Sequence, residues 1–263
     1  MDNKSKIKER IIQNANAEKE WHEQKFYIDS GHWTSHPAFA SRERHWLINH
    51  VQENRFYGYL SKYIKNKTYG RNAKVLFAPV GDGSHVHYLQ GISNETHGID
   101  LSAVALAKCP SSLILKEEDI LCSGYAEETF DVVICAQFFH HVHSVGFKPF
   151  IIEFQRILKK GGTLAVLEPS ILYPFSWVSA LARKIIGNVT GLVEGERPVN
   201  PFEILGLLKS EGFANIKTIG LTFNHVRFPC AVQHLVSLID FILRYVTPLK
   251  YYSNSIGWFC EKK

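Results

Sequence analysis

The segment Lys74-Val-Leu-Phe-Ala-Pro-Val-Gly-Asp-Gly-Ser-His85 combines an apolar run with a glycine-rich turn. The run at residues 75–78 is typical of a parallel strand buried on both faces. Pro79 cannot donate to a strand ladder, so the strand is expected to end there. The segment therefore predicts a buried strand followed by a tight turn.

The turn contains Gly81 and Gly83, which allow backbone conformations that other residues disfavour. Without a Cβ they also let a ligand approach the main chain. From Ser84 onward, the apolar spacing through residue 92 predicts a helix with Ser84 as its N-cap. Free N–H groups at such a helix start favour a polar or anionic ligand. An ordinary glycine-containing turn is the alternative.

A second predicted strand ends at Asp100, which lies 17 positions after Gly83. A spacing of roughly 20 residues is typical of the acidic residue that accepts from ribose hydroxyls at the next strand end. The alternative is that Asp100 only caps a helix or is solvated. Ser102 is expected to cap a helix over residues 103–109.

The remaining chain alternates between strand and helix patterns. Strands are predicted at residues 113–115, 130–136, 163–167, 214–223 and 255–260, and helices at 150–158, 175–186 and 201–212. Gly161 and Gly162, preceded by two lysines, are expected to end the helix that reaches Leu158. Such alternation predicts an α/β fold with a parallel sheet.

These segments together resemble the class I S-adenosylmethionine-dependent methyltransferases, specifically their small-molecule branch. The resemblance runs from about Lys74 to Ser170. Its parts are Val-Leu-Phe-Ala-Pro-Val-Gly-Asp-Gly, Gly-Ile-Asp-Leu-Ser, Glu-Asp-Ile, Phe-Asp-Val-Val-Ile-Cys-Ala-Gln and Leu-Lys-Lys-Gly-Gly-Thr-Leu-Ala-Val-Leu-Glu-Pro. It implies an α/β fold, a doubly wound, seven-stranded, mostly parallel Rossmann-like sheet with an N-terminal helical cap. It also implies methyl transfer to a small-molecule or lipid-like acceptor, with an oxygen or nitrogen nucleophile favoured over carbon.

The resemblance also implies a binding site for S-adenosyl-L-methionine. Asp100 is expected to accept from the ribose, and Asp119 from the adenine amino group. The residues implied as cofactor contacts are Ala78, Pro79, Gly81, Gly83, Asp100, Leu101, Asp119, Ile120, Ala136 and Gln137.

Two positions depart from the family pattern. Phe77 stands where an acidic residue is usual, and Pro79 where the first glycine of the loop is usual. The missing carboxylate removes one anchor for the methionine amino group, so a non-catalytic cofactor-fold protein is an alternative. An NAD-type oxidoreductase is another, although it would normally show the first glycine of GxGxxG and has no counterpart of Asp119.

Length and composition agree with one globular enzyme. The chain has 263 residues, 45% hydrophobic and 21% charged, with a formal net charge of +5. This mild charge contains no long basic run, and the fourth strand is followed by Ala136-Gln-Phe-Phe139 rather than Asn/Asp-Pro-Pro-aromatic, so no nucleic-acid partner is expected. Five cysteines without CxxC spacing and an N-terminus without an apolar stretch predict a cytoplasmic protein.

The first 70 residues are predicted to form a helical extension that caps the site. Residues 71–263 would form the methyltransferase domain, with insertions at about 170–200 and 225–253. In the extension, Tyr27, His32, Trp33 and His36 are candidates to contact the acceptor. The alternative is that these side chains only dock the extension onto the domain.

Histidines follow the fourth strand at positions 140, 141 and 143. The resemblance places this loop next to the acceptor, where a neutral imidazole of His140 or His141 could act as general base. Structural histidines are the alternative. Three histidines alone define no coordination geometry, so no metal site is predicted.

Two further segments are expected to contact acceptor or partners. Glu168 and Tyr173 follow the fifth strand at the sheet edge where ligands of open α/β sheets bind. An ordinary proline-containing loop is the alternative. The segment 230–252 is strongly apolar but too interrupted by charged residues to span a membrane. It is predicted to be a substrate lid, a homodimer face or a membrane-surface contact.

Overall fold

The computed structural model of the protein describes residues 42–65, 67, 72–89, 91–186, 196–225 and 228–263. Within these residues, seven strands form one sheet. The strands are β1 (Ala73–Phe77), β2 (Ser93–Asp100), β3 (Ile114–Glu117), β4 (Phe130–Ala136), β5 (Leu158–Pro169), β6 (Phe213–Thr222) and β7 (Ser255–Lys262).

Among the described residues, one α-helix precedes the first strand and the others connect successive strands. The α-helices are α1 (Arg42–Lys65), α2 (Ala103–Leu106), α3 (Lys148–Ile157), α4 (Pro174–Ile186), α5 (Pro201–Ser210) and α6 (Cys230–Leu243). Short 3-10 helices occur at Val86–Leu89, Ile120–Cys122, Phe139–His141 and Leu249–Tyr252. The predicted seven-stranded α/β fold is confirmed.

The strand order is β3-β2-β1-β4-β5-β7-β6, and only β7 runs antiparallel to its neighbours. The chain order reverses between β1 and β4, which pair in parallel through residues 75–77 and 132–134. Ligands of open α/β sheets bind beyond the carboxyl ends of the strands at such a switch point. We call this side of the sheet, where the parallel strands end, the carboxyl edge.

Hydrophobic cores cover both faces of the sheet. One core packs the sheet against α3 and α5, and the other packs it against α1. In α1, Phe56, Tyr57, Leu60 and Ile64 are buried at helical spacing. Helix α1 is thus a layer of the fold, while the predicted division at residue 70 and the capping role of the extension stay predictions.

Three element boundaries differ from the sequence-based expectations. The helix predicted from Ser84 is only the 3-10 segment Val86–Leu89, because Gly91 takes a φ of +74° just before β2. The helix predicted over 103–109 is limited to α2, although Ser102 caps it by accepting from the Ala105 N–H. Helix α3 ends at Ile157 without the help of the glycines, since Gly161 and Gly162 lie inside β5.

Helix α6 is inverted, with polar side chains inside and apolar side chains outside. Asp240 is fully buried, and its carboxylate accepts from Arg55 Nη1 at 2.5 Å, Thr222 Oγ1 at 2.8 Å and the Phe223 N–H at 2.6 Å. One turn earlier, Ser237 accepts from the Asn224 amide at 2.8 Å. These bonds attach α6 to β6 and α1 by its polar face.

Replacing Asp240 by alanine tests this attachment. We expect Asp240→Ala to lower the free energy of unfolding by about 3 kcal/mol, because Arg55 loses its carboxylate partner and the donors of Thr222 and Phe223 lose the same buried acceptor. Urea unfolding measures the change. Glu127→Ala, at an exposed site, is the control and should change it by less than about 0.5 kcal/mol. A similarly small loss for Asp240→Ala would contradict the proposed anchoring role.

Candidate cofactor and acceptor site

The glycine turn lies at the carboxyl edge, directly after β1. Gly81 has a φ of +57° and Gly83 a φ of +73°. A Cβ on Gly81 would meet nothing within 4 Å, whereas one on Gly83 would lie 2.8 Å from Pro110 Cδ. Gly81 therefore leaves open space for a ligand, and Gly83 allows close packing of the turn on the neighbouring loop.

Asp100 connects this turn to the end of β2. Its Oδ2 accepts from the Gly81 N–H at 2.8 Å, and its Oδ1 accepts from the Ser102 N–H at 2.9 Å. The carboxylate therefore lies beside the turn. It also accepts from the backbone just before α2, which agrees with the alternative interpretation that Asp100 caps a helix. Its contact with a ribose stays a prediction.

The other predicted cofactor residues surround the same edge. Leu101 is 43% exposed beside Asp100, whereas Ile120 is buried in the core. Asp119 is half-buried and accepts from the Leu121 N–H at 2.9 Å, and its burial raises the pKa of its carboxyl group. At the end of β4, Gln137 takes a φ of +56° and donates its N–H to Leu167 O at 2.8 Å.

These residues fit a nucleoside-containing cofactor. The space beside Gly81, the carboxylate of Asp100 and the exposed apolar side chain of Leu101 provide room, a hydroxyl acceptor and an apolar surface. Phe77 does not intrude, because it is 2% exposed and packs in the core against α1. The Ala78–Pro79 peptide bond at the end of β1 is cis.

Helix α1 contributes groups that the sequence did not place near the turn. Glu53 Oε1 lies 3.2 Å from His85 Nε2, and Tyr57 Oη lies 3.0 Å from His85 Nδ1. The Tyr57 ring stacks on Tyr88 with centroids 4.9 Å apart. A carboxylate from α1 thus stands next to the loop after β1, whose own acidic position is occupied by Phe77. The sequence predicted only that Glu53 and Tyr57 belong to the helical N-terminal extension.

The loop after β4, residues 137–143, carries the histidines, and we call it the histidine loop. Glu168, fully buried in β5, accepts from the N–H groups of Phe138 at 2.8 Å and Phe139 at 2.6 Å. Its Oε2 lies 2.8 Å from His140 Nδ1. Because a carboxylate only accepts, this contact places the proton on Nδ1 and leaves Nε2 of His140 as the basic nitrogen.

A second segment, residues 196–199, approaches the histidine loop. Glu196 Oε1 lies 3.6 Å from His140 Nε2, and the His141 ring centroid lies 4.0 Å from that of His140. His143 Nε2 donates to Arg197 O at 2.6 Å, and burial lowers the pKa of the His143 imidazole. Glu196 falls in the predicted insertion at about 170–200, and no sequence signal joined it to histidines more than 50 residues earlier.

Glu168 and Tyr173 are both buried and hydrogen-bonded within the protein. Glu168 is fully buried under the histidine loop. Tyr173 is also buried, and its hydroxyl donates to Phe223 O at 2.9 Å. Burial raises the pKa of that hydroxyl. Both side chains hold the structure around the site, so their contact with an acceptor stays a prediction that these geometries do not favour.

The predicted acceptor contacts of the extension, Tyr27, His32, Trp33 and His36, lie outside the described residues. Their roles stay predictions. The described site therefore consists of the glycine turn, the ends of β2 and β4, and the histidine loop.

One family of known proteins matches the part of the chain that carries this site. Residues 78–166 match the family described as "Methyltransferase domain". No curated protein matches the chain by sequence. The matched residues run from the end of β1 to β5 and contain the glycine turn, Asp100, Asp119 and the histidine loop.

Solved structures share the fold at low sequence identity. A protein from Thermotoga maritima described as a possible histamine N-methyltransferase is 15% identical, with a TM-score of 0.59, covering 84% of this chain and 94% of its own. A SAM-dependent methyltransferase from Archaeoglobus fulgidus is 13% identical, with a TM-score of 0.53, covering 81% and 99%. The CurJ carbon methyltransferase is 15% identical, with a TM-score of 0.54, covering 81% and 55%.

The strand order and the match of residues 78–166 to a methyltransferase domain together indicate an S-adenosylmethionine-dependent methyltransferase. Its cofactor is S-adenosyl-L-methionine. The named neighbours are described as a possible N-methyltransferase and a carbon methyltransferase, so the same fold occurs with different methylated atoms.

The raised pKa of Asp119 predicts how cofactor binding depends on pH. The carboxylate form is expected to accept from the adenine amino group, and protonation weakens this acceptor by removing its charge. The raised pKa means that this happens at a higher pH than for an ordinary aspartate. We expect the dissociation constant of S-adenosylhomocysteine, measured by calorimetry, to rise as the pH falls from about 7.5 into the acidic range, starting at a higher pH than an ordinary aspartate would give.

Two variants control this experiment. Asp119→Asn should bind more weakly at neutral pH and lose the dependence, whereas Glu127→Gln, at an exposed site, should retain the wild-type profile. An unchanged slope in Asp119→Asn would assign the pH effect to another group.

Proposed function

We propose that the enzyme methylates an oxygen or nitrogen atom of an amphiphilic, lipid-like small molecule that it meets at a membrane surface. The observation that carries this proposal is the inverted helix α6. Its outer face exposes large apolar side chains, among them Leu238 at 75%. The others are Val232, Leu235, Ile239, Phe241 and Ile242.

Helix α4 adds a second exposed apolar face. Ile185 is 74% exposed, and Trp177, Val178 and Leu181 are exposed on the same helix. Near the start of α4, the ring of Phe175 lies 4.6 Å from that of Phe228, just before α6. The two apolar helices therefore meet near their N-termini.

Both helices leave the sheet beside the site. The ends of β5 and β6 pair with the same residue of β7, Ser255, so α4 and α6 start from neighbouring points on the carboxyl edge. An apolar surface at this edge supports an acceptor with an apolar part, because burial of such a chain stabilises the complex. A large exposed apolar patch is also a typical membrane or protein contact.

A membrane surface is the occupant that we favour for this patch. The chain carries a formal net charge of +5, which favours an anionic lipid surface. Trp177 and Tyr245 are exposed aromatic residues of the type enriched at membrane interfaces. Among the described residues, no helix is long and apolar enough to cross a membrane. The alternatives from the sequence are a homodimer face and a substrate lid.

The histidine loop is proposed to activate the acceptor. S-adenosylmethionine supplies an electrophilic methyl group when bound, so the protein mainly has to align the nucleophile and exclude water. Glu168 accepts from His140 Nδ1, so the basic Nε2 lies on the side of the ring that faces away from Glu168. His140 or His141 can thereby promote loss of a proton from an O–H or N–H nucleophile. We also propose a cytoplasmic location, which the thiol state of the four described cysteines supports.

The acceptor class is tested with radiolabelled S-adenosylmethionine and matched acceptor pairs. Each pair has one reactive group, a phenol, a carboxylate or an amine, with and without a long alkyl chain. We expect label transfer to the long-chain member at least about tenfold faster, because the alkyl chain gains apolar contacts. Asp100→Ala is the inactive control. Preference for the short-chain members would refute a lipid-like acceptor.

The membrane contact is tested by flotation with vesicles of phosphatidylcholine and phosphatidylglycerol. We expect the wild type to float and the Leu238→Ser/Ile242→Ser double variant to lose at least about tenfold in partition, since it removes apolar side chains from the outer face of α6.

The matched control is Glu203→Ser/Lys209→Ser, which changes exposed residues of α5 and should float like the wild type. Sedimentation equilibrium without lipid measures self-association. A dimer that the double variant abolishes, together with no flotation of the wild type, would instead assign this face to a homodimer.

The histidine variant that best separates chemistry from structure is His140→Asn. Its amide can still donate to Glu168 in place of Nδ1–H, but it lacks the Nε2 nitrogen. We expect kcat to fall by about 10² to 10⁴ with unchanged affinity for S-adenosylhomocysteine. His234→Asn, at an exposed site on α6, should retain wild-type kcat. An unaffected kcat in His140→Asn would exclude this imidazole from the reaction.

A further inference from the structure

We infer that His140, His141 and Glu196 together bind one divalent transition-metal ion of the Zn²⁺ class. One ligand atom from each of these residues lies within 4.8 Å of the others. The inference rests on the proposed function, because it assigns the ion to activation of the acceptor. In this inference the nucleophile is a hydroxyl oxygen of the acceptor.

The separation of the candidate ligands fits a shared ion. His140 Nε2 and Glu196 Oε1 lie 3.6 Å apart, which is longer than an ordinary hydrogen bond. Two ligands at about 2.0–2.1 Å from a tetrahedral Zn²⁺ are separated by roughly 3.4 Å. The pair therefore needs only a small adjustment to hold an ion between its two atoms.

The surroundings of His140 match those of a metal-ligating histidine. In metal sites the second ring nitrogen usually donates to a carboxylate or carbonyl, which fixes the tautomer and orients the ring. Here Nδ1 donates to the buried Glu168 at 2.8 Å, and Glu168 is itself fixed by the Phe138 and Phe139 N–H groups. His140 thus presents Nε2 towards Glu196 in a defined orientation.

Glu196 is also held in place by the backbone. The Arg197 N–H donates to His140 O at 3.1 Å, and His143 Nε2 donates to Arg197 O at 2.6 Å. Two residues further, the Val199 N–H donates to Pro169 O at 2.9 Å at the end of β5. These bonds bring a segment distant in sequence against the histidine loop and place its carboxylate beside the imidazoles.

The donor set favours a transition metal. Imidazole suits Zn²⁺, Fe²⁺ and related ions, whereas Mg²⁺ and Ca²⁺ prefer oxygen ligands only. Two histidines and one carboxylate leave a fourth position, as in catalytic zinc sites. An acceptor hydroxyl at that position would lose its proton to water more readily. The oxygen then forms a bond to the methyl carbon as the carbon–sulfur bond breaks, and sulfur keeps the electron pair.

Cobalt titration of chelator-treated full-length protein tests the site directly. We expect one equivalent of Co²⁺ to bind with visible d–d absorption, and one equivalent of Zn²⁺ to displace it. His140→Asn and Glu196→Gln should each weaken Co²⁺ binding at least about 100-fold, while His234→Asn and Glu203→Gln, exposed control sites, should bind like the wild type. Circular dichroism confirms that each variant is folded.

The outcomes separate the metal site from the proposed function. Less than stoichiometric Co²⁺ binding by the wild type, or binding that survives both ligand variants, would overturn the metal site. Methyl transfer that continues in metal-free protein would overturn its role and leave His140 as a direct base. Stoichiometric binding lost in both ligand variants, with no transfer to any acceptor, would support the site while the proposed function fails.

Discussion

The arrangement of the acceptor side depends on one buried carboxylate, that of Glu168. It lies inside β5, fully buried, and accepts from consecutive backbone N–H groups of the histidine loop and from His140 Nδ1. A buried carboxylate must be satisfied by donors, so the loop after β4 is forced to turn its N–H groups towards β5. That turn orients His140, whose backbone carbonyl in turn receives the segment carrying Glu196.

The sheet explains why these parts meet. Adjacent parallel strands end at one edge, so the glycine turn after β1, Asp100 at the end of β2 and the histidine loop after β4 are brought together by strand order alone. Helices α4 and α6 also begin near this edge. The polar side chains of α6 bond to Asn224, Thr222 and Arg55, so its apolar face remains exposed. Because α6 packs on the protein through its polar face, its apolar face points outward.

Much of this fold could be predicted from local sequence. The strands followed from apolar runs, and the turn followed from Gly81 and Gly83, both of which adopt positive φ values. Three features could not be predicted locally. Glu168 was expected to contact the acceptor because it follows a predicted apolar strand at the carboxyl edge, but in the structure β5 extends to Pro169 and Glu168 is fully buried. The approach of Glu196 to the histidines depends on tertiary packing. The inversion of α6 was hidden because apolar residues occur on most of its faces.

Helix α1 connects the glycine turn with helix α6. Two residues apart on this helix, Glu53 contacts His85 beside the glycine turn, and Arg55 contacts Asp240 of α6. Between and after them, Phe56, Tyr57 and Leu60 are buried against the sheet. Helix α1 therefore packs as part of the hydrophobic core of the sheet, although the match to the methyltransferase domain begins only at residue 78.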